Sequence, residues 1–154
     1  MAEVQAEITI AAPPERVFAF IARPENMPRW LAIAESVDQI EPAPEGLNTR
    51  WRVRINILGI SHEVPARISA YDWPRRLAFT MAGPMDGNLS NESPLGGVVA
   101  TLDATDSGTR ITCRLSYTVP GGTIGRLAGR GVQPLVQQGV RESLRRLKAA
   151  LESS

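Results

Sequence analysis

The sequence predicts an α+β fold: seven antiparallel strands in one sheet, two short helices after the first strand, and one long helix at the end. Three observations carry this expectation. Alternation of apolar and polar residues recurs in seven separate runs, the period of half-buried strands. The turns between several later runs span only a few residues, which excludes parallel crossovers. The one sustained helical period comes last.

The first run, Glu3 to Ile10, sets Val4, Ala6, Ile8 and Ile10 against Glu3, Gln5, Glu7 and Thr9. Ala12-Pro13-Pro14-Glu15 then supplies fixed φ angles and an acid in a first turn, and Val17, Phe18, Phe20 and Ile21 follow at helical spacing. Pro24 ends that helix, and residues 24–30 predict a second short helix or turn. Six further strands are expected near residues 33–41, 49–58, 60–71, 75–83, 97–105 and 109–119, divided by Gly59, Asp72-Trp73-Pro74 and Asp106-Ser107-Gly108. Pro84 to Gly96 has no period and is long for a compact domain, which suggests a lid or entrance loop. After Pro120-Gly121-Gly122, a helix ending near Leu151 carries a stripe of Leu135, Val136, Val140, Leu144, Leu147 and Leu151, with Pro134 as a kink or as its true start.

The size, 154 residues, suits one domain with one core. Seventeen basic against sixteen acidic residues, a net charge of +1, give no electrostatic footprint for nucleic acid. No apolar stretch approaches the ~20 residues needed to span a bilayer. Glu3 and Glu7 break any secretory signal pattern, so a soluble cytoplasmic chain is expected. The single cysteine, Cys113, can form no internal disulfide, and with one histidine the chain offers no metal site. No cofactor is expected.

One face of the sheet is apolar in register. Trp51, Val53, Ile55 and Ile57 alternate with Arg50, Arg52, Arg54 and Asn56. The next strand places Ile60, His62, Val64, Ala66, Ile68 and Ala70 together, and Leu77, Phe79 and Met81 continue that face. In the last strand Ile111, Cys113, Leu115, Tyr117 and Val119 oppose Arg110, Thr112, Arg114, Ser116 and Thr118. His62 and Tyr117 are thus two polar tips directed inward. Such a face either closes into a solid core or leaves a space beneath the helix.

Three stretches resemble the polyketide cyclase/dehydrase branch of the START-like (SRPBCC) superfamily: Ile10 to Trp30, Ile68 to Phe79, and Gly108 to Tyr117. The resemblance implies a helix-grip fold, in which a curved seven-stranded antiparallel sheet wraps the C-terminal helix around a cavity. Relatives of this kind bind lipids, sterols, plant hormones or polyketides, some catalyse cyclisation or dehydration, and others act as co-chaperones with no working pocket. It implies a hydrophobic small-molecule partner, with lipid transport one of the roles; a monomer or homodimer is expected, and the charge balance and lack of a long apolar run lead us to expect neither nucleic-acid binding nor membrane insertion. These motifs are packing and turn signatures, so they specify the fold more than any activity.

The expected cavity wall takes Trp51, Val53 and Ile55 from one strand, His62, Val64 and Ala66 from the next, then Leu77, Phe79 and Met81. Cys113, Leu115 and Tyr117 come from the last strand, and Val136 and Val140 from the helix. An aldol-type cyclisation would use His62 as base and Tyr117 as donor to the developing enolate. Each has a plainer reading, His62 as a satisfied histidine near the sheet edge and Tyr117 bonded to backbone. Cys113 reads as a small hydrophobe. Trp30 and Trp73 read as core or rim. Gly121-Gly122-Thr123-Ile124-Gly125 lacks the glycine spacing of a phosphate loop, and its glycines, with Gly129 and Gly131, suit a turn and close packing. Arg126, Arg130, Arg141, Arg145, Arg146 and Lys148 make the last helix basic, a solvated face interrupted by Glu142 and Glu152.

Overall fold

The computed structural model describes residues 2–57, 59–82, 94–117 and 122–153, and the side chains of the terminal helix from Pro134 onward. Its elements follow the expected order. Strand β1 (Ala2–Ile10) leads to helix α1 (Pro14–Ile21), a 3-10 turn (Pro24–Asn26) and helix α2 (Met27–Trp30). Strands β2 (Ala34–Glu41), β3 (Arg50–Ile57), β4 (Ile60–Asp72), β5 (Arg76–Ala82), β6 (Pro94–Thr105) and β7 (Gly108–Tyr117) precede helix α3 (Gly122–Glu152). All seven strands form one antiparallel sheet in the order β1-β7-β6-β5-β4-β3-β2. It is a meander except that β1 closes onto β7.

The alternating pattern becomes burial as the periodicity requires. Ile10, Val53, Ile55 and Ile111 have no exposed surface, while Arg50, Arg54 and Arg110 face water. Prolines at the start of α1 and around α2 set where those helices begin and keep them short. Val17, Phe18 and Ile21 of α1 and Met27 and Trp30 of α2 enter the same core. Phe18 meets Tyr71 and Trp73 edge-on, each with ring centroids 5.0 Å away, which fixes α1 over the β4–β5 turn. The β6–β7 turn needs Gly108: its φ is +150°, and a Cβ there would run into the carbonyl oxygen of Ile10.

Both sheet edges are managed. On β2 the pairing with β3 slips twice, between Ala34 and Ser36 and between Asp38 and Glu41, with Gln39 at a positive φ, so the edge is bulged and charged. On β1 the free edge is occupied by α3. Gln137 Nε2 donates to the carbonyl of Gln5 (2.8 Å), Lys148 Nζ donates to that of Thr9 (2.9 Å), and Glu152 accepts from the amide of Ala11 (2.9 Å). A further tie runs to the α2–β2 junction, where Ser143 Oγ accepts from the amide of Ala32 (2.9 Å) and donates to the carbonyl of Gly139 (2.8 Å).

Helix α3 departs from the expected stripe in one residue. Leu144, Leu147 and Leu151 are buried and Val136 and Val140 partly so, but Leu135 is 55% exposed. The buried line runs 136, 140, 144, 147, 151, and a residue one position before Val136 lies about 100° around the helix from it. Pro134 falls inside α3 and does not start it. Gly122, Gly125, Gly129 and Gly131 are helical, whereas a turn was expected of the glycine-rich stretch; Gly121 lies outside the described residues. The expected loop 84–96 is likewise outside them up to residue 93, while Pro94 to Gly96 already belong to β6.

Candidate functional site

The pairing register lays one row of side chains across the apolar face. Tyr117 stands opposite Gly96, Gly96 opposite Met81, Met81 opposite Ala66, and Ala66 opposite Trp51, so the row runs from β7 to β3. Two large aromatics mark its ends, and Gly96 and Ala66 beside Met81 keep its middle low. The adjoining row, Leu115, Val98, Phe79 and Ile68, is larger throughout.

Among the expected wall residues, Trp51, Val53, Ile55, Val64, Ala66, Leu77, Phe79, Met81 and Cys113 are buried. Leu115, Tyr117, Val136 and Val140 are partly buried. Trp30 joins them from α2. Its ring meets Phe79 edge-on at 6.5 Å, and the Trp51 ring lies 6.2 Å from the same phenyl. By sequence, Trp30 reads only as a core or rim residue. The signal that singles it out is its spacing: three residues after Met27, it shares the covered side of a one-turn helix.

Three buried polar atoms have no hydrogen-bond partner among the described residues: Trp30 Nε1, Trp51 Nε1 and the Tyr117 hydroxyl. Buried polar groups are nearly always bonded, and each one left bare costs about 1–3 kcal/mol. Desolvation raises the Tyr117 phenol above its ordinary pKa, so it is a neutral O–H at physiological pH. Burial pushes the Cys113 thiol up to about 12, which leaves no thiolate for nucleophilic work.

His62 does not share this enclosure. It was expected on the apolar side, but it is exposed. The cause is its place in the sheet: it lies two residues from the start of β4, and the described β4–β5 pairing begins only at Ala66 opposite Met81. Because Ala66 belongs to the row of Tyr117, His62 is also four residues, about 13 Å along the strand, from that row. The base and donor of the expected cyclisation are therefore not brought together.

A surface groove of about 570 Å³ lies elsewhere, between β1 and α3, lined by Gln5, Ala6, Glu7, Ile8, Arg141, Leu144 and Arg145. It includes none of the expected wall residues. Among the described residues no cluster of His, Cys, Asp or Glu could hold a metal ion, and no helix is long and apolar enough to cross a membrane.

A sheet that grips its terminal helix in this order is the helix-grip architecture of the START-like (SRPBCC) superfamily. Within it, the chain belongs to the family described as polyketide cyclase/dehydrase and lipid transport, whose profile matches residues 1–152. Among solved structures it is similar to TTHA0849 from Thermus thermophilus, at 25% identity and a TM-score of 0.78, with 99% of each chain covered. It is also similar to the di-domain ARO/CYC BexL from the BE-7585A biosynthetic pathway, at 21% identity and a TM-score of 0.71. That match covers 99% of this chain and 47% of the di-domain chain. MLL2253 from Mesorhizobium loti matches at 20% identity and a TM-score of 0.68, with 99% and 98% covered. No curated protein matches the chain at a significant level.

Proposed function

We propose that this chain binds a hydrophobic small molecule against the apolar face of its sheet, beneath α3. The observation that carries the reading is the set of buried polar atoms on Trp30, Trp51 and Tyr117 that have no partner among the described residues. A packed core leaves few such atoms, whereas a ligand site places a few polar groups within an apolar wall. The low middle of the row, at Ala66 beside Met81, is where a guest would rest. Family membership supports the same ligand class, since its description names polyketide chemistry and lipid transport. Apolar burial would supply the driving force, at about 25 cal/mol per Å² before association costs.

The test is titration with Nile red, a neutral apolar dye, beside native mass spectrometry of the purified chain. Saturable binding of one dye per chain is expected, weakened at least ten-fold by Ala66→Leu with no loss of stability, the result required if the space over Ala66 belongs to the guest. A chain that takes up no dye refutes the reading. So does an Ala66→Leu variant destabilised by the roughly 1–3 kcal/mol typical of an overpacked core.

A further inference from the structure

The outer edge of β1 is fastened at two points and open between them. Gln137 takes the carbonyl of Gln5 and Lys148 that of Thr9, positions four residues or about 13 Å apart along the strand. In an antiparallel ladder the main-chain groups that face outward recur at every second residue. Glu7 shares the parity of Gln5 and Thr9, so its N–H and C=O turn to the same open side. No described residue of α3 bonds to either group. The surface groove of about 570 Å³ lies at this gap, with Arg141 and Arg145 along its α3 wall. We infer that the groove is a docking site for the carboxyl-terminal segment of a partner protein, laid extended against Glu7 as a short extra strand with its terminal carboxylate on Arg141 and Arg145.

Three features fit that one chemistry. A bare strand edge offers a donor and an acceptor in the spacing of a peptide group, the template for strand addition. The partly buried Ala6 and Ile8 and the buried Leu144 give an apolar floor for a small side chain. Arg141 and Arg145 stand about one helical turn apart, so both guanidinium forks reach one site, and their geometry matches a carboxylate.

The chain's own acids leave that charge available. Arg141 makes no ion pair among the described residues. Arg145 shares Glu142 with Arg146, at 3.2 and 3.3 Å, and with its side chain 62% exposed this pair is readily exchanged. Glu7 has the opposite parity to Ala6 and Ile8, which sends its exposed side chain to the outer face of the sheet.

The two fastenings decide for a chain end over a chain passing through. Between them the edge admits about three or four extended residues. A continuous segment would have to turn away at both Gln137 and Lys148, whereas one that terminates in the groove turns away once.

Heteronuclear NMR titration of the full chain with the peptide acetyl-Gly-Gly-Ser-Ala-Val tests this. The peptide is made with a free carboxyl terminus, as its C-terminal amide, and as an amide with Glu replacing Ser, which offers only a side-chain carboxylate. The free acid is expected to saturate below about 1 mM and to shift the Glu7 amide, with both amides at least about ten-fold weaker. Arg141→Gln and Arg145→Gln remove exposed charges without touching the core. Each should weaken the free acid about three- to ten-fold and leave the amides within about two-fold, while Arg54→Gln, an exposed charge on β3, should change nothing. Methylating the peptide nitrogens one at a time should abolish binding at the one that donates to the Glu7 carbonyl. The inference is overturned by any of five results: no saturation by the free acid, equal binding of acid and amide, a Glu-bearing amide as tight as the acid, indifference to both arginine variants, or indifference to every methylation. Nile red binding is read separately, so none of these outcomes bears on the apolar face of the sheet.

Discussion

Ser143 is a buried polar residue in the middle of the covering helix, and its replacement tests how α3 is held over the sheet. Ser143→Ala removes the Oγ that accepts from the Ala32 amide, along with the donation to Gly139. A backbone N–H stranded in this way costs about 1–3 kcal/mol, and this bond is only part-buried, so the lower end applies. Alanine returns about 0.5 kcal/mol through its better helix propensity. The net expectation is a loss of about 1 kcal/mol, or about 2–4 °C in Tm for a chain of this length. Urea unfolding followed by circular dichroism measures the global change, and amide hydrogen exchange measures the local one. The Ala32 amide should lose protection by more than the global change accounts for, because its own acceptor has gone. An unchanged unfolding midpoint together with an Ala32 amide as protected as before would refute the account of Ser143 as a tie between α3 and the α2–β2 junction.

Two further expectations concern ionisation. Cys113, with its pKa pushed to about 12 by burial, should resist thiolate-selective reagents at about pH 8 until urea unfolds the chain. Its folded pKa lies above the unfolded one, so the stabilisation is intact below about pH 9 and lost as the pH rises towards about 12, at a slope approaching about 1.4 kcal/mol per unit. Relative to wild type, Cys113→Val should flatten the alkaline decline in urea midpoints; an identical decline would show that the thiol does not contribute. Glu152 is shifted the other way, lowered first by the hydrogen bond from Lys148 and then by that from the Ala11 amide. Its contribution is present above the ordinary carboxylate pKa of about 4.3 and is lost as the pH falls through the depressed folded value. Glu152→Gln should therefore be less stable than wild type at about pH 7, with the gap narrowing as the pH falls through the acid range; a gap independent of pH would assign the effect to something other than charge.

Nearly all of the fold was legible because its signals are periodic. The alternation in Trp51, Val53 and Ile55 or in Ile111 and Cys113 fixes which side is buried whatever the partner strand, and the short turns fix antiparallel pairing. The candidate site was legible only as a face. His62 has the parity of that face, but exposure depends on where the neighbouring strand's pairing begins, which no single run of residues encodes. Leu135 erred by one position around a helix, the usual scale of error when a stripe is drawn through adjacent apolar residues. Trp30 does not stand out in the sequence because a one-turn helix is too short to display a period. The cross-strand row from Tyr117 to Trp51 could not be seen at all without the register, since it joins five separate runs.

The closure of β1 onto β7 also constrains how the chain is assembled. Ala2 faces Tyr117, and the other edge of β1 is fastened by α3, so β1 finds its neighbours only after the rest of the sheet and α3 have been made. Bringing such distant segments together costs entropy before any contact repays it, which slows folding in topologies of this kind. On the ribosome, β1 would wait unpaired while the β2–β6 meander forms, its apolar side awaiting the final helix. The docking of that helix therefore does double duty, completing the sheet's edge and shielding the segment that waited longest.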